Sequence, residues 1–135
     1  MKSLVLLLLS FLFLSCTESS DLEDLDIEWN LAKNIPISSN VQHAYSYVIL
    51  AEDFSTDNEE VLQFDSSSFI FSLTVVGYQA GTMELSVYNE DSTASFSRVV
   101  TSSTVISEFP EFQPRYLHLA LDDFTGQATL SLTDD

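Results

Sequence analysis

Ser68-Phe-Ile-Phe-Ser-Leu-Thr-Val-Val76 decides the fold class, because it sends Phe69, Phe71, Leu73 and Val75 to one side of the chain and Ser68, Ser72 and Thr74 to the other. A period of two belongs to an extended backbone, whose successive side chains point to opposite faces, and it marks a half-buried strand. Thr82-Met-Glu-Leu-Ser-Val-Tyr88 repeats the pattern, with Met83, Leu85 and Val87 inward and Glu84, Ser86 and Tyr88 outward. Tyr116-Leu-His-Leu-Ala-Leu121 and Gln127-Ala-Thr-Leu-Ser-Leu-Thr133 set Leu117, Leu119 and Leu121 against Ala128, Leu130 and Leu132. Alternation this regular is that of antiparallel sheets with one face on a core and one in water. From residue 27 onward no segment sustains the 3.6-residue apolar stripe of a helix.

Shorter or less regular strands are expected at 27–31, 44–51, 60–64, 95–100 and 104–106. Turn chemistry separates them. Gly77-Tyr-Gln-Ala-Gly81 supplies two glycines for positive φ, Asn89-Glu-Asp-Ser92 offers Asx-type turns, and Asp122-Asp-Phe-Thr-Gly126 reads as the hairpin between the last two strands. Pro110 and Pro114 bracket an extended crossover that cannot lie in a central strand. The expected fold is all-β, an antiparallel two-sheet β-sandwich of jelly-roll type with about eight or nine strands, occupying residues 27–135.

The N-terminus has the parts of an export signal: Lys2, an apolar run from Leu4 to Leu14, and small Ser15. The run is shorter than the roughly 20 residues that cross a bilayer, so cleavage is expected rather than a permanent span. Phe13-Leu14-Ser15-Cys16 resembles the lipobox of bacterial lipoproteins, with Phe13 and Leu14 departing from its usual leucine and small residue. The resemblance implies a signal peptide over 1–15, acylation of the Cys16 thiol and a membrane anchor. Several acyl chains on one cysteine hold a protein stably where one chain does not. Residues 16–26, acidic and serine-rich, read as a tether. Such acidic tracts behind the lipidated cysteine resemble signals that send lipoproteins of some Gram-negative lineages to the outer face of the outer membrane. The expected location is thus the bacterial outer membrane, on its cell-surface or its periplasmic face.

Cys16 is the single cysteine, so the domain has no thiol for a disulfide, a zinc-thiolate site or a nucleophile once it is acylated. The full chain carries a formal net charge of −17, and without Lys2 only Lys33, Arg98 and Arg115 stand against 21 acidic residues. Nucleic acid, which is bound by neutralising phosphates with Lys and Arg, is not an expected partner, and anionic headgroups are disfavoured for the same reason. The excess charge favours a soluble, monomeric domain and a saline medium that screens self-repulsion.

Residues 69–132 look like the C-terminal sandwich domains appended to secreted bacterial hydrolases, and like some carbohydrate-binding modules. The features that carry this are the Phe-rich strand, the Leu-Ser-Val-Tyr strand running into Asn-Glu-Asp, and the closing Thr-Gly-Gln-Ala-Thr-Leu-Ser-Leu. The resemblance implies fold class and location, not an activity. There is no Gly-x-Ser-x-Gly elbow, His-Glu-x-x-His or glycine-rich phosphate loop, and the chain has only three glycines and two histidines. An enzyme is not expected.

Two binding chemistries fit the remaining residues. The stretch 52–60, read as a loop, crowds Asp53, Asp57, Glu59 and Glu60, with Asp122 and Asp123 as further donors, and Ca²⁺ takes about six to eight hard oxygens. No EF-hand spacing is present, so calcium is the only cofactor in view and no required one. Tyr88 and Tyr116 point outward, His118 lies on the polar side of its strand between Tyr116 and Ala120, Tyr45, Tyr47 and Tyr78 are expected to be partly exposed at strands or turns, and Trp29 is expected in the core or capping the sheet. Flat rings with polar rims suit sugar faces or partner proteins. The expectation is a noncatalytic lipid-anchored protein whose domain binds a glycan or adheres, with a structural subunit of an envelope complex or filament as the alternative and a small hydrolase behind both.

Overall fold

The computed structural model describes residues 32–135. The signal peptide, Cys16, the tether and the strand expected over 27–31 with Trp29 lie outside them. Six strands follow in order: β1 (Ile37–Val41), β2 (Ala44–Val61), β3 (Phe69–Tyr88), β4 (Ser95–Val100), β5 (Thr104–Glu108) and β6 (Tyr116–Asp134). All pairings are antiparallel, in the order β1-β2-β6-β3-β4, with β5 also pairing with β3. The all-β, antiparallel expectation holds.

Strand count differs from the expected eight or nine because three strands are long, with 18, 20 and 19 residues in β2, β3 and β6. Each crosses an irregularity at the same level. Register shifts fall between Ala51 and Thr56 of β2 and between Val76 and Thr82 of β3. Positive φ occurs there at Asp53 (52°), Gly77 (60°), Gly81 (83°) and Asp123 (46°). A bulge bends its strand and sharpens the local twist without ending the pairing. The segments read as turns at 77–81 and 122–126, and as a loop at 52–60, are therefore bends inside continuous strands.

Bending brings the inward faces of the two halves of the sheet together. One half presents Tyr45, Tyr47 and Ile49 of β2, Phe69, Phe71, Leu73 and Val75 of β3, and Ala128, Leu130 and Leu132 of β6, all buried. The other presents Met83, Leu85 and Val87 of β3, Phe96 and Val100 of β4, and Leu117, Leu119 and Leu121 of β6, in the same core cluster. Contact across the fold is direct: the Phe71 and Phe96 rings lie 4.7 Å apart, and Phe69 meets Phe96 edge-on at 6.4 Å. Every residue that the alternation of 68–76, 82–88, 116–121 and 127–133 sent inward is in this core. Each large apolar side chain removed from water there contributes about 1.5–3 kcal/mol.

The rims differ in chemistry. On the β4–β5 side Arg98 donates to both carboxylate oxygens of Glu108 through Nε and Nη2, with Nε to Oε1 at 2.9 Å, and lies 4.3 Å over the Phe96 ring. Opposite, the Asn40 amide of β1 donates to the Val61 carbonyl of β2 at 3.0 Å.

Two poles result. At the bend pole the chain comes in from its N-terminal side: the Asn34 N–H donates to the Leu50 carbonyl (2.8 Å), the Asn34 side chain brackets the Glu52 backbone (2.7 and 2.9 Å), and Lys33 pairs with Glu52. At the other pole the ends of the long strands gather. The His43 N–H donates to the Gln63 carbonyl (2.9 Å), Leu62 to Arg115 (2.8 Å) and Arg115 to Tyr88 (2.7 Å).

Candidate functional site: a tyrosine-lined groove at the pole opposite the bend

Register assembles the site. On the outward face of the second half, Val61 of β2, Tyr116 of β6, Tyr88 of β3 and Ser95 of β4 form one cross-strand row. Glu59, His118, Ser86 and Ser97 form the next, and Asp57, Ala120, Glu84 and Val99 the third. Directly opposed residues share a face, so the alternation that buries Leu117, Leu119, Val87 and Leu85 is what turns these side chains to water.

Between the first two rows lies an open groove of about 550 Å³, lined by Glu59, Glu60, Val61, Tyr88, Tyr116 and His118, with Ser92 and Leu117 completing it. Tyr116 is 37% exposed and Val61 53%, which gives the floor an aromatic and an aliphatic surface open to solvent. His118 Nε2 lies 2.6 Å from Asp57 Oδ1, so the imidazole is held by a carboxylate at the groove edge. Arg115, beside Tyr116, has its Nε 3.0 Å from Glu90 Oε2, an ion pair lying off the line of a hydrogen bond.

The wall beyond Tyr88 is the 89–94 turn. The Asn89 carbonyl oxygen of the side chain accepts the Ala94 N–H at 3.0 Å, and Asp91 Oδ1 accepts the Thr93 hydroxyl at 2.6 Å and its N–H at 3.1 Å. The Thr93 hydroxyl, then its amide, holds the Asp91 carboxyl below the ordinary carboxylate range. Ser92 takes φ 57° in this turn and reaches the groove.

The structure thus brings Tyr88, Tyr116, His118 and Glu59 together on one face, with Glu60 at the rim. The four residues named for calcium are instead divided. Asp57 and Glu59 project outward from β2, Glu60 lies on the alternate face at the rim, and Asp53 sits in the bulge at the bend pole, its N–H donating to Thr125 Oγ1 at 2.9 Å. Asp123 is engaged at that pole by Ser55, whose hydroxyl accepts its N–H at 2.9 Å. Among the described residues no three His, Cys, Asp or Glu side chains are grouped to hold a metal ion.

Three tyrosines expected near the surface have structural roles. Tyr45 and Tyr47 are each 3% exposed, and burial pushes the Tyr47 phenol up from 10.0 to about 12. Burial first, then the Glu60 charge and Tyr47, holds Tyr45 above the ordinary phenol range. Tyr78 is half-buried, donates its hydroxyl to the Gly81 carbonyl at 2.8 Å and packs on Phe124. Val61 and Ser92 were not singled out from the sequence. Val61 was legible in principle, since Leu62 and Phe64 inward put it outward; Ser92 depends on the turn's path.

A second, smaller concavity of about 330 Å³ lies at the bend pole, lined by Lys33, Glu52, Gly77, Thr125 and Gly126 among others. It has no aromatic side chain. No protein-family model, curated protein or solved structure matches the chain, so function is read from this geometry.

Proposed function

We propose that the protein is a noncatalytic, lipid-anchored binding protein of the bacterial outer membrane, and that its domain is a two-layer sandwich that holds a glycan in the Tyr88–Tyr116 groove. The observation that carries the reading is the meeting of Tyr88, Tyr116, Val61 and His118 in one open groove. Phenol rings and an aliphatic neighbour offer flat apolar contact to the C–H faces of a sugar, while the rim of carboxylates and hydroxyls accepts and donates hydrogen bonds to its hydroxyl groups.

The poles support display. The anchor proposed at Cys16 lies N-terminal to Lys33 and Asn34, which sit at the bend, and the groove lies at the far end of β2, β3 and β6. About eight strand residues at roughly 3.3 Å each separate the two levels, some 25 Å. The groove therefore lies at the pole away from Lys33 and Asn34, where the described chain enters the domain. In this reading His118 and Asp57 position the ligand rather than move a proton.

The test is thermal unfolding of the full chain in detergent with a panel of neutral, acidic and amine-bearing oligosaccharides. A ligand bound only by the native state adds about 2.7 kcal/mol at a hundredfold excess over Kd, a clear rise in Tm. At least one class should raise Tm, and Tyr116→Ala should abolish the rise while leaving the unliganded Tm within a degree or two. No rise with any class, or a rise indifferent to Tyr116→Ala, contradicts the reading and turns attention to an envelope protein as partner.

A further inference from the structure

Among the described residues every cationic side chain is already committed to a carboxylate of the same chain. Lys33 pairs with Glu52, Arg98 with Glu108 and Arg115 with Glu90, while His43 and His118 contact Asp134 and Asp57. A ligand with carboxylate or sulfate groups would find no free cation at the groove, and would have to approach a chain of net charge −17. Glu59, by contrast, lines the groove one row from Tyr88 and Tyr116, and among the described residues it has no cationic partner. Carboxylates next to aromatic rings are the surroundings that hold an ammonium group, by charge and by the negative faces of the rings.

Resting on the glycan reading, we propose that the ligand is a glycan with free amino groups, a glucosamine-type polymer rather than a fully N-acetylated or acidic one. Sugar rings lie along Tyr116, Val61 and Tyr88, and the ammonium group meets Glu59 at the β2 edge. The groove, at about 550 Å³, falls within the 300–1,000 Å³ typical of sites for small ligands, which fits a short run of sugar units. Its side chains stand on the sheet face, whereas a cationic peptide adding as a strand would use the backbone of an edge.

The experiment titrates the full chain in detergent with a β-1,4-linked glucosamine oligomer, its N-acetylated counterpart, an oligogalacturonate and oligolysine. Expected is at least tenfold tighter binding of the glucosamine oligomer than of the N-acetylated one, and no binding of oligogalacturonate. Glu59→Gln should erase most of that preference, and Glu111→Gln, outside the groove, should leave it intact. Equal or tighter Tyr116-dependent binding of the N-acetylated oligomer overturns the amine inference while the glycan reading stands. Oligolysine binding as tightly as glucosamine, indifferent to Tyr116→Ala, overturns both, as does the absence of binding by every sugar.

Discussion

Tyr47 carries a hydroxyl that is buried without a hydrogen-bond partner among the described residues, in a side chain 3% exposed. A buried polar group left unpaired costs about 1–3 kcal/mol. Tyr47→Phe should therefore leave stability unchanged or raise it by about 1 kcal/mol, in contrast to the usual loss from a core substitution. Its titration gives a second readout. The phenol is raised from 10.0 unfolded to about 12 folded, so above pH 10 the unfolded chain binds fewer protons than the folded one. Stability is full below pH 10 and falls as pH rises toward 12, and Tyr47→Phe should flatten that fall in denaturant melts, with Tyr45 supplying what remains. The burial of these two tyrosines was illegible for a definite reason. In 44–51 both faces hold apolar residues, Tyr45, Tyr47 and Ile49 on one and Val48 and Leu50 on the other, and period two cannot choose between them. In 68–76 serine and threonine mark the outer face, so the inward set follows from the sequence.

The long strands depend on backbone conformations that a sequence shows without their context. Positive φ at glycine serves a hairpin turn and a bulge alike. Which one forms depends on whether neighbouring strands continue alongside, a nonlocal fact that Gly77-Tyr-Gln-Ala-Gly81 does not contain. The two glycines separate sharply in cost. At Gly81 an added Cβ would lie 2.3 Å from the Asp123 carbonyl oxygen with φ at 83°, so neither side chain nor backbone can yield cheaply. Gly81→Ala should destabilise by about 3 kcal/mol or more. Gly77, at φ 60°, has nothing within 4 Å of that position, so Gly77→Ala should cost only the left-handed strain, about 1–2 kcal/mol. Denaturant midpoints at constant m-value measure both. Similar losses at the two positions would mean that the β3 bend does not rest against β6.

At the scale of the molecule, charge and polarity dominate. A formal charge of −17 on 135 residues makes self-repulsion the main long-range electrostatic contribution, while the three Lys and Arg pairs are exposed enough to be worth about 0–1 kcal/mol each. Sodium chloride shortens the screening length from about 10 Å at 0.1 M to about 3 Å at 1 M. Tm should accordingly rise by several degrees over that range, and a fall would show that the ion pairs outweigh repulsion. Tyr88, Tyr116 and His118 were individually legible, since alternation turned them outward. Their meeting with Glu59 was not, because it follows from the register of β2 on β6 and of β3 on β6, two pairings between segments far apart in the chain. The separation of Lys33 and Asn34 from the groove was likewise invisible until the bends folded the sheet.

Amide chemical-shift mapping of the isotope-labelled full chain on addition of the glucosamine oligomer examines the groove most directly. Perturbations should concentrate at residues 57–61, 86–92 and 116–118 and leave the 330 Å³ concavity around Lys33, Gly77 and Gly126 undisturbed. Perturbations centred on the bend pole, or none at saturating oligomer, would contradict the placement of binding at Tyr88 and Tyr116.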